Sequence, residues 1–446
     1  MSGREDGSAY QRITRSNENR SDNMTDSKDL NDQQNLLNSE KPASNMENKR
    51  NEIHLFGWTF NKVILLTHVN IFLYSACFWI QTGTLPYLSK KLGVNAVWYG
   101  YLQTTFAIVQ LAGGPLYGRF GDLFGSRAAM TLAFVSAALS YLLLSVSTSV
   151  PILFLSRLPS VFMHAMQGGQ MIVTDLGDSG KRADALGKLG LSYGVGMVVG
   201  PVVGGLITKF QGLEFAAFVA FLGSVLSICL VVMFVPKQTK KVQVEEKGGG
   251  ALLDWRKWLS LIMAPGALFL LILRVATGIP IGIFQSMFQV VALETFNLPA
   301  DQNGYLMAYI GILTMIVQGV GVGIVLKKVS ENAIMKWASF LLVWSYLSLS
   351  YVSDIVQLCV VLAPLTISLA SQNIVISSAL TRTVDEVDTG AMLGLNMATN
   401  SLIRTVSPTI GGIMLENLGF SSFGYLGFLS SGIVTAVLFI KFRNKT

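Results

Sequence analysis

Charge is what this sequence has least of. Asp, Glu, Lys and Arg supply 13% of its 446 residues, against about 25% in an average soluble domain. With 51% hydrophobic residues and a mean hydropathy of +0.51, that scarcity excludes a water-soluble globular chain. Cysteine is nearly absent too, with Cys77, Cys229 and Cys359 the only three. All lie in apolar runs, too far apart for a metal or redox motif, so they read as small packing residues. The sequence has no Walker-type glycine loop, no cluster with metal-ligand spacing, and no nucleophile paired with a base. Those gaps argue against an enzyme, a bound metal or cofactor, and ATP-driven chemistry. No secretory signal precedes the first apolar run.

What the chain does have is long apolar runs. A helix needs roughly 20 apolar residues to cross a bilayer. Twelve such spans are predicted, at 63–85, 98–117, 128–147, 151–173, 187–208, 213–235, 262–293, 302–326, 333–352, 355–379, 391–414 and 421–441. The pI near 9.2 would suit a nucleic-acid-binding protein, but the bases are placed for topology. Arg119, Arg127, Lys181, Arg182, Lys237, Lys240, Lys327, Lys328 and Arg382 fall in one set of alternate loops, while the other set holds only Lys90, Lys91 and Lys209. This positive-inside bias predicts both termini in the cytosol and makes the lipid bilayer, with no nucleic acid, the macromolecular partner. The predicted fold class is all-α and polytopic, with twelve transmembrane helices in two six-helix halves.

Residues 1–60 mix charges with Ser, Asn and Gln and hold few large apolar residues, so a disordered cytosolic tail is expected there. Within it, "DQQNLL" sets Asp32 four residues before Leu36 and five before Leu37. That spacing resembles the acidic dileucine signal read by sorting adaptors, which would direct the chain to an endolysosomal membrane; the alternatives are a plain tail and the plasma membrane. The linker 237–260, with its bases and triple glycine, separates an N-terminal half (61–236) from a C-terminal half (261–441), and 442–446 is a tail. The halves look duplicated. "DSGKRADALG" at 178 aligns with "DEVDTGAMLG" at 385, and the same offset carries "GPVVGG" (200–205) onto "SPTIGG" (407–412). "GYLQ" at 100 likewise matches "GYLM" at 304. In such a duplicated transporter the substrate site lies between the halves near mid-membrane.

Between the second and third spans, "GRFGDLFGSR" places Gly118, Asp122, Gly125 and Arg127 in a G-x-x-x-D-x-x-G-x-R frame. Glycines permit a tight turn there, and the acid and base can engage neighbouring helix ends. The frame resembles the loop signature of the major facilitator superfamily. That resemblance implies a latch between the halves, with Asp175 at a nearby span end as a partner. The corresponding loop of the second half, "LKKVSENAIMK", lacks the Asp. In the fifth span, Gly196, Gly200 and Gly204 recur every four residues and leave one bare face for another helix, while Pro201, next to Gly200, removes a backbone donor. With Gly187 and Gly205 these match the fifth-span signature of the drug/proton antiporter branch, and we expect a hinge packed against the other half. Stretches from "LPYLSKKLG" (85–93) to "LIRTVSPTIGG" (402–412) resemble organic-cation-transporter-like proteins of solute carrier family 22. The resemblance implies alternating access and proton-coupled antiport of organic cations or drugs by a functional monomer, with the proton as coupling ion.

Ionisable groups inside spans are costly and mark candidate pathways. On the fourth span, Arg157, His164 and Asp175 fall near one stripe at 100° per residue. The seventh carries Arg274 and Gln285 on one face, with a breaker run "GIPIG" (278–282). The eleventh stacks Asn396, Asn400 and Arg404, and the first offers His68, Asn70, Tyr74 and Gln81. These stripes are expected to converge on one cleft, with His164 a candidate proton carrier. The alternative for Arg157 and Asp175 is charge pairing in helix packing. No carboxylate is predicted at depth, so the residues favour an anionic or zwitterionic small organic substrate, against the cation that the resemblance implies. A non-transporting scaffold with the same fold is the remaining alternative.

Overall fold

Helix ends fall where capping chemistry and glycine place them. The computed structural model describes residues 52–55, 58–176, 182–237, 255–317, 329–385 and 388–442. Helix α1 runs Lys62–Lys91 and α2 Ala96–Phe124. The α2 cap is Asn95, whose Oδ1 accepts from Trp98 N at 3.0 Å. Gly125, at φ +85°, turns the chain directly into α3 (Ser126–Ser145). After a broken segment come α6 (Arg182–Gln211) and α7 (Leu213–Phe234), joined at Gly212 with φ +97°.

A short helix, α8 (Trp255–Ile262), stands apart from α9 (Ala267–Glu294), because Pro265 and Gly266 interrupt the run. The seventh span therefore starts at Ala267 rather than at the expected 262. Then follow α10 (Ala300–Ile316), α11 (Glu331–Leu349), α12 (Ile355–Thr381), α13 (Thr389–Leu418) and α14 (Ser421–Lys441). Among the described residues, seven helices are long and apolar enough to cross a membrane. The other expected spans overlap helices of the described residues, the fourth only in pieces and the eighth as far as those residues reach. Within the N-terminal tail, Glu52–Leu55 pairs antiparallel with Trp58–Asn61 as a small hairpin, where no order was expected. The rest of that tail, with Asp32, Leu36 and Leu37, lies outside the described residues.

Two sequence expectations fail at the fourth and seventh spans. The fourth is not one helix but α4 (Val150–Leu155), a 3-10 turn (Leu158–Phe162) and α5 (Ala165–Leu176). Pro159 brings no backbone donor to the turn, and the hydroxyls of Ser156 and Ser160 take the carbonyls of Leu153 and Arg157. Gly113 of α2 fills the resulting notch, where a Cβ would sit 1.7 Å from Val161 O. The single stripe expected for Arg157, His164 and Asp175 does not survive this break. By contrast, α9 continues through Pro280, so "GIPIG" breaks nothing. Its glycines let α13 approach instead: a Cβ on Gly278 would meet Ile403, and one on Gly282 would meet Ser407.

From Leu66 to Thr446 the chain is one compact unit, and the repeat noted in the sequence builds its seam. A Cβ on Gly205 would lie 2.5 Å from Ala300 O, and one on Gly412 would lie 2.5 Å from Ala96 O. A Cβ on Gly304 would likewise clash with Pro201 O, and one on Gly100 would lie 2.5 Å from Pro408 O. The α6–α10 crossing is thus repeated as α13–α2, with the halves exchanging roles. All four contacts lie at the starts of α2 and α10 and the far ends of α6 and α13. The start of α1 and the end of α14 mark one end of the bundle, the terminus side, and the halves are sealed at the other end.

Candidate functional site

The seam encloses a cavity of about 960 Å³ between the halves. It lies on the terminus side of the four glycine crossings, lined on α1 from Tyr74 to Thr82 and on α9 from Arg274 to Gln289. Beyond it, side chains reinforce the seal. Lys209 Nζ reaches Asp301 Oδ2 at 2.6 Å, Tyr87 donates its hydroxyl to Leu298 O at 2.8 Å, and Asn95 Nδ2 meets Glu416 Oε1 at 3.4 Å. The Lys209 ammonium holds the Asp301 carboxyl below its ordinary range. Deeper in, Thr104 Oγ1 donates to Thr405 O at 3.1 Å.

Arg157, Arg274 and Arg404 all line the cavity, and none of its described lining residues is Asp or Glu. Arg157 sits at the break of the fourth span, only 1% exposed. Its Nε and Nη2 have no hydrogen-bond partner among the described residues. The guanidinium carbon stands 5.9 Å from the centroid of the Phe106 ring. A buried charge this poorly matched is expensive to maintain. Arg274 is better served, its Nε donating to Asn400 Oδ1 at 2.8 Å. Gln285, one face with Arg274 as expected, also lines the cavity. So does His164, whose ring lies 5.4 Å from that of Tyr117 and whose buried Nε2 has no partner among the described residues.

Other expected pathway residues lie elsewhere. His68 Nδ1 meets Ser192 Oγ at 2.9 Å, on α6, because it sits about 120° from Tyr74 around α1. Asn70 turns its amide back to Leu66 O. Asn396 bonds Ser377 Oγ on α12 at 3.1 Å, because a four-residue spacing drifts by about 40° per step and leaves it off the face of Arg404. Tyr74, Gln81, Asn400 and Arg404 do reach the cavity, Tyr74 giving its hydroxyl to Met163 O. Asp175 takes a hydrogen bond from Ser126 Oγ at a helix end, so it is neither in the cavity nor on one stripe with Arg157.

The hinge residues need redirecting. Gly196, Gly200 and Gly204 face Ser75, Ala76 and Ile80 of α1, inside their own half. Of the expected hinge residues, only Pro201 and Gly205 meet the other half, at Gly304 and Ala300. α6 is therefore wedged between α1 and α10 and runs unbroken through Pro201. In the loop after α2, Arg127 Nη2 donates to Val232 O of α7 and Ser126 donates to Asp175, so these bonds stay within one half. A Cβ would be free of clashes at Gly118 and Gly187. Asp122 is exposed at the end of α2.

Sequence reasoning missed a stripe on α2. Tyr99, Gln103, Phe106 and Gln110 line the cavity at spacings of 4, 3 and 4, which is a helical face readable in advance. Gln167, Tyr193 and Gln289 also line it.

A two-half bundle with a central cavity narrows the family, and sequence comparison decides it. The Major Facilitator Superfamily model matches residues 67–370. The chain belongs to the major facilitator superfamily. Within that superfamily it is 38% identical over 386 residues to rat solute carrier family 22 member 18, covering 85% of this chain and 94% of the relative. It is 24% identical over 366 residues to multidrug resistance protein 1 of Bacillus subtilis, covering 79% and 89%. The crystal structure of the human organic anion transporter MFSD10 superposes with a TM-score of 0.59 at 18% identity, covering 83% of this chain and 98% of that one. As a major facilitator, this multi-pass membrane protein belongs to a family of transporters.

Proposed function

We propose that this chain is a secondary transporter that moves small organic anions or zwitterions by alternating access, in exchange for protons. The observation that carries the substrate class is the cavity's charge: three arginines line it, and no described lining residue is acidic. Desolvated guanidinium groups favour carboxylate-like ligands and repel cations. With both termini in the cytosol of a plasma or endolysosomal membrane, the glycine seam closes the far side and the cavity faces the cytosol. Proton exchange rests on the fifth-span frame, and His164 is the lining group suited to carry the proton. The chain acts as a monomer with no bound cofactor, and Asp122 and Arg127 latch the halves on the cytosolic side. Sorting adaptors would read Asp32, Leu36 and Leu37.

A second reading, export of organic cations or drugs, has support in the aromatic wall. Phe78 and Trp79 stand 5.7 Å apart edge to face, and aromatic faces can hold cations. Purified protein in liposomes with an imposed pH gradient separates the two. Organic anions should accumulate against the gradient and cations should not. Cation uptake without anion uptake would reverse the assignment, and uptake indifferent to the gradient would remove the proton.

A further inference from the structure

Arg157 is the least explained group in the molecule. Among the described residues it is the bulkiest fully buried side chain, and it lines the cavity with two donor nitrogens that have no partner there. The contact with Phe106 engages the π-face and consumes no N–H donor. Tyr99, another lining residue, lies within electrostatic reach of Arg157. Its oxygen accepts from Gln103 Nε2 at 2.9 Å, which leaves the hydroxyl proton free to be donated. Neither of the other two lining arginines matches this: Arg274 is engaged by Asn400, and Arg404 is exposed.

Resting on the anion reading above, we infer that Arg157 and the Tyr99 hydroxyl anchor the anionic head of the transported solute. The head is a carboxylate, sulfonate or phosphate monoester, because each presents two oxygens to one guanidinium edge and a third contact to a hydroxyl. The body is apolar and flat. Phe78 and Phe106 lie 6.1 Å apart beside the anchor, and Phe284 and Phe288, 5.2 Å apart, face them from the other half. A solute held this way touches both halves, so its binding can differ between the two states, as transport requires. The break in the fourth span then has a purpose. It places Arg157 at the cap of the 3-10 turn, on the wall of the cavity.

The test is binding of labelled hippurate, 2-naphthalenesulfonate and phenyl phosphate to the full chain in nanodiscs. Hippuramide and benzyltrimethylammonium serve as neutral and cationic probes. Wild type should bind at least one anionic probe saturably and hippuramide far more weakly. Arg157→Gln should weaken that binding by about 30-fold, and Arg157→Lys by about tenfold because the paired donors are lost. Tyr99→Phe should cost about fivefold. Without probe, Arg157→Gln should melt no lower than wild type, since it removes an unmatched charge. If both Arg157 variants bind anions like wild type, the anchor is wrong and the anion reading stands. If wild type binds only the cation or nothing, the anion reading and the anchor fall together. If Arg157→Gln does not fold, Arg157→Lys and Tyr99→Phe decide the matter, and unchanged affinity in both overturns the anchor.

Discussion

Arg274 shows how a single buried cation is kept at little cost. Its Nε has a carbonyl acceptor in Asn400, supplied from α13 across the C-terminal half. Asn400→Leu strands that donor and should lower stability by roughly 1–3 kcal/mol, read as a lower melting temperature in nanodiscs. Asn400→Asp restores an acceptor and should recover it. Asp301 carries the second residue-scale prediction. Its carboxyl is held low while Lys209 is bound, so the bridge contributes to closure at pH above the free carboxyl's range. That contribution is lost as pH falls through the lowered value. Spin-label distances between Lys90→Cys and Ser353→Cys should lengthen modestly on acidification, and Asp301→Asn should lengthen them at every pH and abolish the dependence. Individual polar residues were the hardest part to read from sequence. Tyr74, Gln81 and Gln285 line the cavity because each sits on a face with its neighbours. His68 and Asn396 were not, because a helix has room for only some of its polar groups on the cavity side and the rest find partners on adjacent helices.

Among the elements, α6 carries the most. Its four-residue glycine repeat was legible, but the partner of that bare face was not, since spacing says that a helix comes close and not which one. The structure gives the repeat to α1 and builds the crossing with α10 from other residues of α6, Gly194, Val198, Pro201 and Gly205 among them. Gly205→Val and Gly412→Val each place a Cβ against a backbone oxygen, which cannot move aside as a side chain would. Overpacking of this kind costs roughly 1–3 kcal/mol, enough to shift the closed population by about 5- to 150-fold. The same Lys90–Ser353 label pair should report opening in each variant, with the double substitution roughly additive because the crossings share no atoms. A distance unchanged in both would mean that the seam closes elsewhere. The broken fourth span was not legible, because Pro159 and the two serines sit within a run apolar enough to read as continuous.

For the molecule as a whole, the duplication was the most readable feature, and it came from repeated glycines rather than from hydropathy. It fixes which helices cross and on which side. A Gln167→Cys variant lacking the native cysteines should react with an impermeant maleimide from the terminus side only, and Gly205→Val should admit the reagent from the opposite side. Labelling from the opposite side in the parent would contradict the sealed seam. That seam also governs how the gate answers its surroundings. Four of its contacts are backbone against backbone with nothing ionisable between them. Salt, pH and binding of small ions therefore have little purchase on it, beyond the Lys209–Asp301 bridge at its edge. What would hold the gate shut is the absence of four methyl groups, and a single added carbon would open it further than acidifying that bridge can.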